Sequence, residues 1–586
     1  MSKERIQILQ IDMPVCSLIY GVEPCGATGA QGQECYNTLK TCQSVGSYTE
    51  EIKRYYFSTE SESAYINSAN WYPTLQAVSK RPAEINIVSI DPDATPLGKR
   101  ESVKVTLKDH PHHDRGVDPY YSTRSYVNTV LEQGTFWSKW LARNDNYDGL
   151  SCVLYEGYTG QTMCDMRQYH LILDRIDNNS NTTTITAKDI LKAADDQRVK
   201  VPAVSTGVLS SDIGVSTTSF SIKEVGSPST VADTYASQGT LSIGDEAMLF
   251  TRTGHTFNVV RGAWGTTATE HSENDVVQQA YETVDHSVSP ATGMRVDNII
   301  KDILLNYVGV DTAWIDSTAW DNEGAEWVPT FIFNTVVLKP TGAGKLIGEL
   351  LRDSACYLIP NTREKKIEFR ALRPPVTTHE LTDENNIIAG SFKIDRKPEL
   401  RITQLYFWYD ILDVTESTKE LKNFKKVYVE LSDDVNRART QRDKTITSRW
   451  HQSENSGQVQ IAAGRIMTRY GREPITFSFD VDSKDIEGAD GLKLGDVFLL
   501  THRDYVDETG SPKTIPAQII SMQDKERGHI TSIKAQPFEF EFRARLWAPD
   551  GLPDWLLATP EQQSKYLYWS DDTGQMSNGE DAPKWL

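Results

Sequence analysis

Four cysteines crowd into one short stretch near the N-terminus: Cys16, Cys25, Cys35 and Cys42, spaced Cys-x8-Cys-x9-Cys-x6-Cys. Gly21, Gly26, Gly29 and Gly32 are threaded among them, and glycine permits the tight turns that bring distant thiolates around one centre. Four converging thiolates suit zinc or an iron–sulfur cluster, and spacing alone does not separate the two. The Cys-x2-Cys knuckle of zinc ribbons is absent. Two blander readings compete. One is four reduced, unligated thiols; the other is two disulfides, which an extracellular destination would favour. A metal centre leads.

Other residues invite chemistry less strongly. Cys152, Cys164 and Cys356 stand alone, and single thiols of this kind are commonly core residues. Asp109, His110, His112, His113 and Asp114 are dense enough to ligate a divalent metal. Pro111 interrupts them, however, and a hydrogen-bonding corner at a strand end is the favoured reading. The segment KPTGAGKL imitates a phosphate loop, but Lys339 takes the place of the first glycine and Leu346 that of the magnesium-binding hydroxyl, so it is rejected. No Gly-x-Ser-x-Gly elbow or compact carboxylate pair is visible. The aromatic run Tyr406 to Asp410 suggests sugar stacking, yet Leu405 and Ile411 flank it as in a core strand.

The elements that must position these residues are mostly strands. Val103, Val105 and Leu107 alternate as in a half-buried strand, and HLILDRID and TTTITAKD form two more around the turn Asn178 to Asn181. Ile85, Ile87 and Val88 are expected in a further strand. Residues 201–285 are rich in Ser, Thr, Gly and Val and read as a small all-β insert. Within it, Gly262 and Gly265 fit a tight turn around Trp264, and His271 is expected to order a loop. Asp297 is expected to cap a helix with the apolar face Ile299, Ile300, Ile303 and Leu304. A second helix fits Leu346, Ile347, Leu350 and Leu351, and a third runs from about Val459 to Tyr470 and stops at Gly471. Leu492 to His502 reads as a strand entered through a Gly-Asp turn. Phe538, Phe540, Phe542 and Ala544 alternate with charged residues in another.

At 586 residues the chain requires several domains. A net charge of −20, from 81 acidic against 61 basic residues, argues against general nucleic-acid binding, which needs a basic footprint. The sequence carries no secretory signal pattern or membrane-length apolar run, so folding in a reducing cytoplasm is expected.

The segment PVCSLIYGVEPCGATGAQGQECYNTLKTC, Pro14 to Cys42, resembles the cysteine module of tail-tip proteins of long-tailed bacteriophages, the lambda tail-tip family, and of gene transfer agent hub proteins. The outer gaps of eight and six residues agree with that family, and the middle gap is shorter than in the lambda protein. The blocks LGKRESVKVTLKDHPHHDRGVDPY, GTFWSKWLARNDNY, GYTG and ITAKDILKAADD are similar to the same family in the same order. VVRGAWGTTATEH, Val259 to His271, resembles a recurring tail-protein element.

The resemblance implies a [4Fe-4S] cluster on Cys16, Cys25, Cys35 and Cys42, with zinc as the alternative. It implies no catalytic residues. The expected fold is mixed α+β and mainly β, with several β-barrel or β-sandwich hub domains, short helices and an N-terminal metal-cluster module. The expected domains are a four-cysteine iron–sulfur module (1–50), a first β-rich hub domain (51–200) and a small all-β insertion (201–285). An α+β hub domain (286–400), a second β-barrel with a helix (401–547) and an extended C-terminal arm (548–586) follow. In the arm, Trp555, Trp569 and Trp585 would anchor in a partner.

The implied function is a structural virion protein, the baseplate hub of the tail tip. It would close the distal tube and link it to the receptor-binding fibre, after assembly in the host cytoplasm. Implied partners are two further copies of the chain in a homotrimer, the distal tail protein, the tape measure protein and a central fibre. Genome DNA would pass the lumen. A tip-associated cell-wall hydrolase and a carbohydrate-binding adhesin are the alternatives.

Overall fold

The computed structural model describes residues 4–28, 34–59, 70–90, 95–124, 133–179, 181–224, 231–285, 292–432, 435, 440–486, 491–526 and 529–538, with isolated positions between 546 and 567. It is mainly β, and the chain divides into two compact units. The first comprises Met1–Ala83, Arg100–Ala193 and Pro360–Lys366. The second comprises Glu84–Lys99, Ala194–Ile359 and Ile367–Leu586. Among the described residues no helix is long and apolar enough to cross a membrane.

The first unit is built on eight strands: β1 (Arg5–Cys16), β2 (Glu50–Ser58), β3 (Trp71–Tyr72), β4 (Leu75–Arg81), β5 (Ser102–Lys108), β6 (Ser151–Tyr158), β7 (Arg167–Asn178) and β8 (Thr182–Lys188). Their order is β3-β2-β1-β6-β7-β8-β5-β4, and the sheet curls until β4 lies against β1, nearly a barrel. Alternation sets which side chains face inward. On β5 the buried residues are Val103, Val105 and Leu107, and opposite them on β8 stand Ala187, Ile185 and Thr183. Helix α1 (Phe136–Arg143) begins at Thr135, whose hydroxyl accepts the Ser138 N–H at 3.4 Å. Its buried Phe136, Trp137 and Trp140 join the barrel core with Leu9, Ile11, Phe57 and Leu154.

The expected strand over Ile85 to Val88 is not formed. Ala83–Glu84 is a two-residue strand, and Ile87–Ser89 turns as a 3-10 helix in which Val88 takes a φ of 56°. The three apolar residues are buried all the same. A β-branched residue in the left-handed region is strained, and packing, not backbone preference, holds it there.

In the second unit, residues 207–279 form a six-stranded antiparallel sheet with its own core, including Leu241, Phe250 and Phe257. The turn around Trp264 is as expected, with positive φ at Gly262, Trp264 and Gly265. A Cβ on Gly265 would sit 1.9 Å from the Leu412 carbonyl oxygen, so only glycine fits. His271 does order a loop. Its Nε2 lies 2.9 Å from the buried Glu246 carboxylate, which also accepts from Arg261 Nε and Nη2, both at 2.7 Å, and from the Thr269 and Gly262 N–H groups at 2.9 and 3.0 Å.

Helix α2 (Val296–Asp302) buries Ile299 and Ile300 and runs into a π-helical turn, Ile303–Val308, that buries Ile303 and Leu304. Asp297 is not its cap. Arg295 holds the cap position, and Asp297 lies inside the first turn, fully buried and bound by Arg295 Nε at 2.5 Å and Nη2 at 2.8 Å. The side chain that capping needed is used for an ion pair. Helix α3 (Ser317–Trp327) is capped by Asp316, and α4 (Ala343–Asp353) buries Leu346, Ile347, Leu350 and Leu351 as expected.

The rejected phosphate-loop segment opens α4, and a Cβ on Gly344 would meet the Ala194 carbonyl oxygen at 2.8 Å, a packing reason for that glycine. Helix α5 (Ser456–Tyr470) ends at Gly471 with φ −69°; a Cβ there would lie 2.6 Å from the Met467 carbonyl oxygen. Close approach, not left-handed backbone, requires the glycine.

A further sheet runs in the order Thr377–Thr382, Val497–Val506, Pro512–Glu526, Ile530–Pro537, Ile475–Asp482 and Lys393–Arg396 around a core that includes Phe477, Phe479 and Phe498. The Leu492 to His502 expectation is met by the strand from Val497, preceded by Gly495 at φ 89°. In the strand Gln404–Ile411, Leu405, Phe407 and Tyr409 are buried, which accounts for Phe407 and Tyr409 of the aromatic run, while Tyr406 and Trp408 on the other face are half-buried. Phe538 is buried. Phe540, Phe542, Ala544, Trp555, Trp569 and Trp585 lie outside the described residues.

Burial pushes the Glu246 carboxyl up, but Arg261, the Thr269 and Gly262 N–H groups and His271 outweigh it and hold it at about 2, against an ordinary 4.5. A depressed carboxyl contributes stability that is present above its ordinary value and lost as pH falls toward the folded value. Glu246→Gln is therefore expected to destabilise the 207–279 sheet by about 3–5 kcal/mol at neutral pH, as when one partner of a buried ion pair is removed. The difference from wild type should shrink as pH falls from 4.5 toward 2. Hydrogen exchange of that sheet, at pH 7 and in acid, measures both.

Candidate metal centre

The module is rooted in the barrel sheet. Cys16 is the last residue of β1 and pairs with Glu50 of β2. Between those strands the chain loops out, carrying Cys25, Cys35 and Cys42, with short 3-10 turns at Leu39–Thr41 and Val45–Ser47. The loop closes on itself through backbone and amide bonds. The Cys16 N–H donates to the Asn37 carbonyl at 2.8 Å, and Asn37 Nδ2 donates to the Cys16 carbonyl at 2.9 Å. Gly21 has φ 72°, and a Cβ on Gly26 would meet Ser44 Oγ at 2.7 Å. Gly21 is the position where the turn needs glycine; at Gly26 the obstacle is only the movable end of the Ser44 side chain. Gly29 and Gly32 lie outside the described residues.

All four cysteines are free thiols of intermediate burial. They share one electrostatic neighbourhood. Burial pushes the Cys35 thiol up, the Asn37 N–H opposes this, and Cys42, Cys16 and Cys25 each push it further up. That N–H donates to Cys35 Sγ at 3.4 Å, the type of bond that stabilises a metal-bound thiolate. Among the described residues, no three or more His, Cys, Asp or Glu side chains are arranged as a metal-holding group. The donor set is nonetheless soft, fourfold and unpaired, which fits zinc or an iron–sulfur cluster. Sulfur–metal distances near 2.3 Å would require the loop to draw in.

The histidine-rich segment after β5 is a hydrogen-bonding corner, and it seats the module. Asp109 Oδ1 accepts from the Trp137 N–H at 3.2 Å, and His112 Nδ1 accepts from the Asp114 N–H at 2.9 Å. Asp114, at φ 67°, takes Arg143 Nη1 and Nη2 at 3.1 and 2.7 Å and Lys139 Nζ at 3.0 Å. Burial raises its carboxyl, but His112, Arg143 and Lys139 prevail and hold it well below the ordinary carboxylate range. Burial lowers the His110 ring, and His112 lowers it further.

From this corner Tyr120 Oη accepts the Tyr20 N–H at 2.7 Å, and Arg124 Nη2 donates to the Cys35 carbonyl at 2.5 Å. Beneath lies a cavity of about 20 Å³ bordered by Met13, Tyr36, Tyr55, Lys139 and Trp140, room for one water.

The sequence did not single out Tyr36, Asn37, Arg124 or Arg143. Tyr36 and Asn37 adjoin Cys35, which is the one local signal. The arginines lie on other elements, and only folding brings them near. Among the lone cysteines, Cys152 and Cys356 are core residues whose thiols burial pushes up to about 12. Cys164 departs from expectation: it is exposed on the 3-10 turn Met163–Asp165, whose Thr162–Asp165 capping box faces water.

No protein-family model matches the chain, and no curated protein matches it. Three similar solved structures are tail proteins. One, from Neisseria meningitidis MC58, shares 10% identity over 78% of this chain and 96% of its own, with a TM-score of 0.36. Prophage tail protein gp18 from Listeria monocytogenes EGD-e shares 10% over 83% and 91%, with a TM-score of 0.33. The 43 kDa tail protein of prophage MuSo2 from Shewanella oneidensis shares 9% over 78% and 94%, with a TM-score of 0.35.

Metal-free, reduced protein treated with iodoacetamide is expected to take label at Cys16, Cys25, Cys35, Cys42 and Cys164, and to protect Cys152 and Cys356 until denaturant is added. Peptide mass spectrometry reads the pattern, and native labelling of Cys152 or Cys356 would contradict their burial.

Proposed function

We propose that this chain is a structural virion protein, a baseplate hub of a phage tail tip that carries a metal centre on Cys16, Cys25, Cys35 and Cys42. The observation that carries the reading is the four-cysteine loop itself. Its spacing resembles the tail-tip module, and its four free thiols lie on one loop rooted where a barrel strand ends at Cys16. The hub would close the distal tube and link it to the receptor-binding fibre, with three copies forming a ring. Distal tail protein, tape measure protein and central fibre would be its neighbours. An acidic surplus suits a surface past which DNA moves without sticking.

When bound, a [4Fe-4S] cluster or zinc ion would cross-link the loop and add folding free energy where Ile19, Val22, Leu39 and Val45 are exposed. The chain's own residues do the rest. Asn37 bridges the Cys16 and Cys35 turns, and the 109–124 corner holds the loop against the barrel. A structural role, not catalysis, follows.

The test is iron, sulfide and zinc analysis with a visible spectrum on protein purified without oxygen, beside Cys16→Ser and Cys42→Ser. A broad visible band with iron and sulfide, lost in both variants, is expected. Zinc alone would keep a structural metal and remove the cluster, and thiols paired as disulfides would overturn the centre altogether. Antibody labelling of intact particles should mark the distal end of the tail; label elsewhere would overturn the hub assignment.

A further inference from the structure

We propose that Arg124, Tyr36 and Arg143 form a positioning clamp that fixes the Cys35 turn for metal capture. The inference rests on the metal reading above. The Tyr36 ring has the Arg124 guanidinium carbon 4.1 Å from its centroid and that of Arg143 at 4.0 Å. Both distances are well inside the range of cation–π attraction.

Neither cation is free to wander. Arg143 grips Asp114 with two nitrogens, and Arg124 grips Asp118 through Nε at 2.6 Å and Nη2 at 3.2 Å. The two carboxylates have side-chain exposures of 3% and 0%, so the charges are set by the barrel and its corner. Tyr36 directly follows Cys35, whose carbonyl takes Arg124 Nη2, and its hydroxyl donates to Glu34 at 2.7 Å. Three consecutive residues are thus tied to one arginine pair.

A ring that only filled space would not need two ion-paired guanidinium groups. Ion-paired to Asp118 and Asp114, they restrict the turn that presents Cys35. The clamp touches no sulfur, so its part is positioning, and its loss should show in how firmly metal is held.

The experiment compares full-length wild type, Tyr36→Leu and Tyr36→Phe, all purified without oxygen. Metal per chain is measured, then the rate of metal loss to excess chelator, then the thermal midpoint of each metal-free chain. Tyr36→Leu is expected to lose metal roughly tenfold faster, the scale of losing a desolvated cation–π contact. Tyr36→Phe, which keeps the ring and gives up only the Glu34 bond, should match wild type, and all three metal-free midpoints should coincide. A Leu variant that holds metal as wild type does overturns the clamp alone. So does a Phe variant as leaky as Leu, or a Leu variant with a lowered metal-free midpoint. Wild type that holds no metal overturns the metal reading, and the clamp with it.

Discussion

Asp114 stands almost wholly out of water, on left-handed backbone early in the crossing from β5 to α1. A carboxylate in that setting is tolerable only when its charge and lone pairs are met. Arg143 and Lys139 of helix α1 meet them, and the Asp114 N–H is taken by His112. That need for partners orients α1, which drives Phe136, Trp137 and Trp140 into the barrel core. It also places the Arg143 guanidinium where Tyr36 lies against it. Barrel core, histidine-rich corner and cysteine loop therefore depend on one charge being satisfied.

Glu246 solves the same problem in the all-β insert, with a different outcome. Its carboxylate gathers Arg261, His271 and two backbone N–H groups, and Arg261 uses Nη1 on the Gly214 and Thr217 carbonyls. The network closes on loops of its own sheet and ties them together. The Asp114 network opens outward, since Arg143 has a ring face left to offer Tyr36. One buried carboxylate staples a module, and the other builds a seat for a neighbouring loop. The distinction explains why a histidine beside a motif can be structural in both places.

What the sequence by itself determined was periodic or local. The strand Ser102–Lys108, the hairpin around Asn178 to Asn181 and the buried faces of α2 and α4 follow from side-chain spacing, because burial on one face selects residues at fixed intervals. The four cysteines and their glycines were legible for the same reason, being near neighbours in the chain. Tertiary structure decided what spacing does not encode. Val88 was bent out of a strand by packing, Asp297 was taken from a cap by Arg295, and Cys164 was left in water on a surface turn. It also decided the seat of the module. Arg124 and Arg143 reach Tyr36 from far along the chain, and the charge pairing that aims them exists only once α1 and the corner have packed against the barrel.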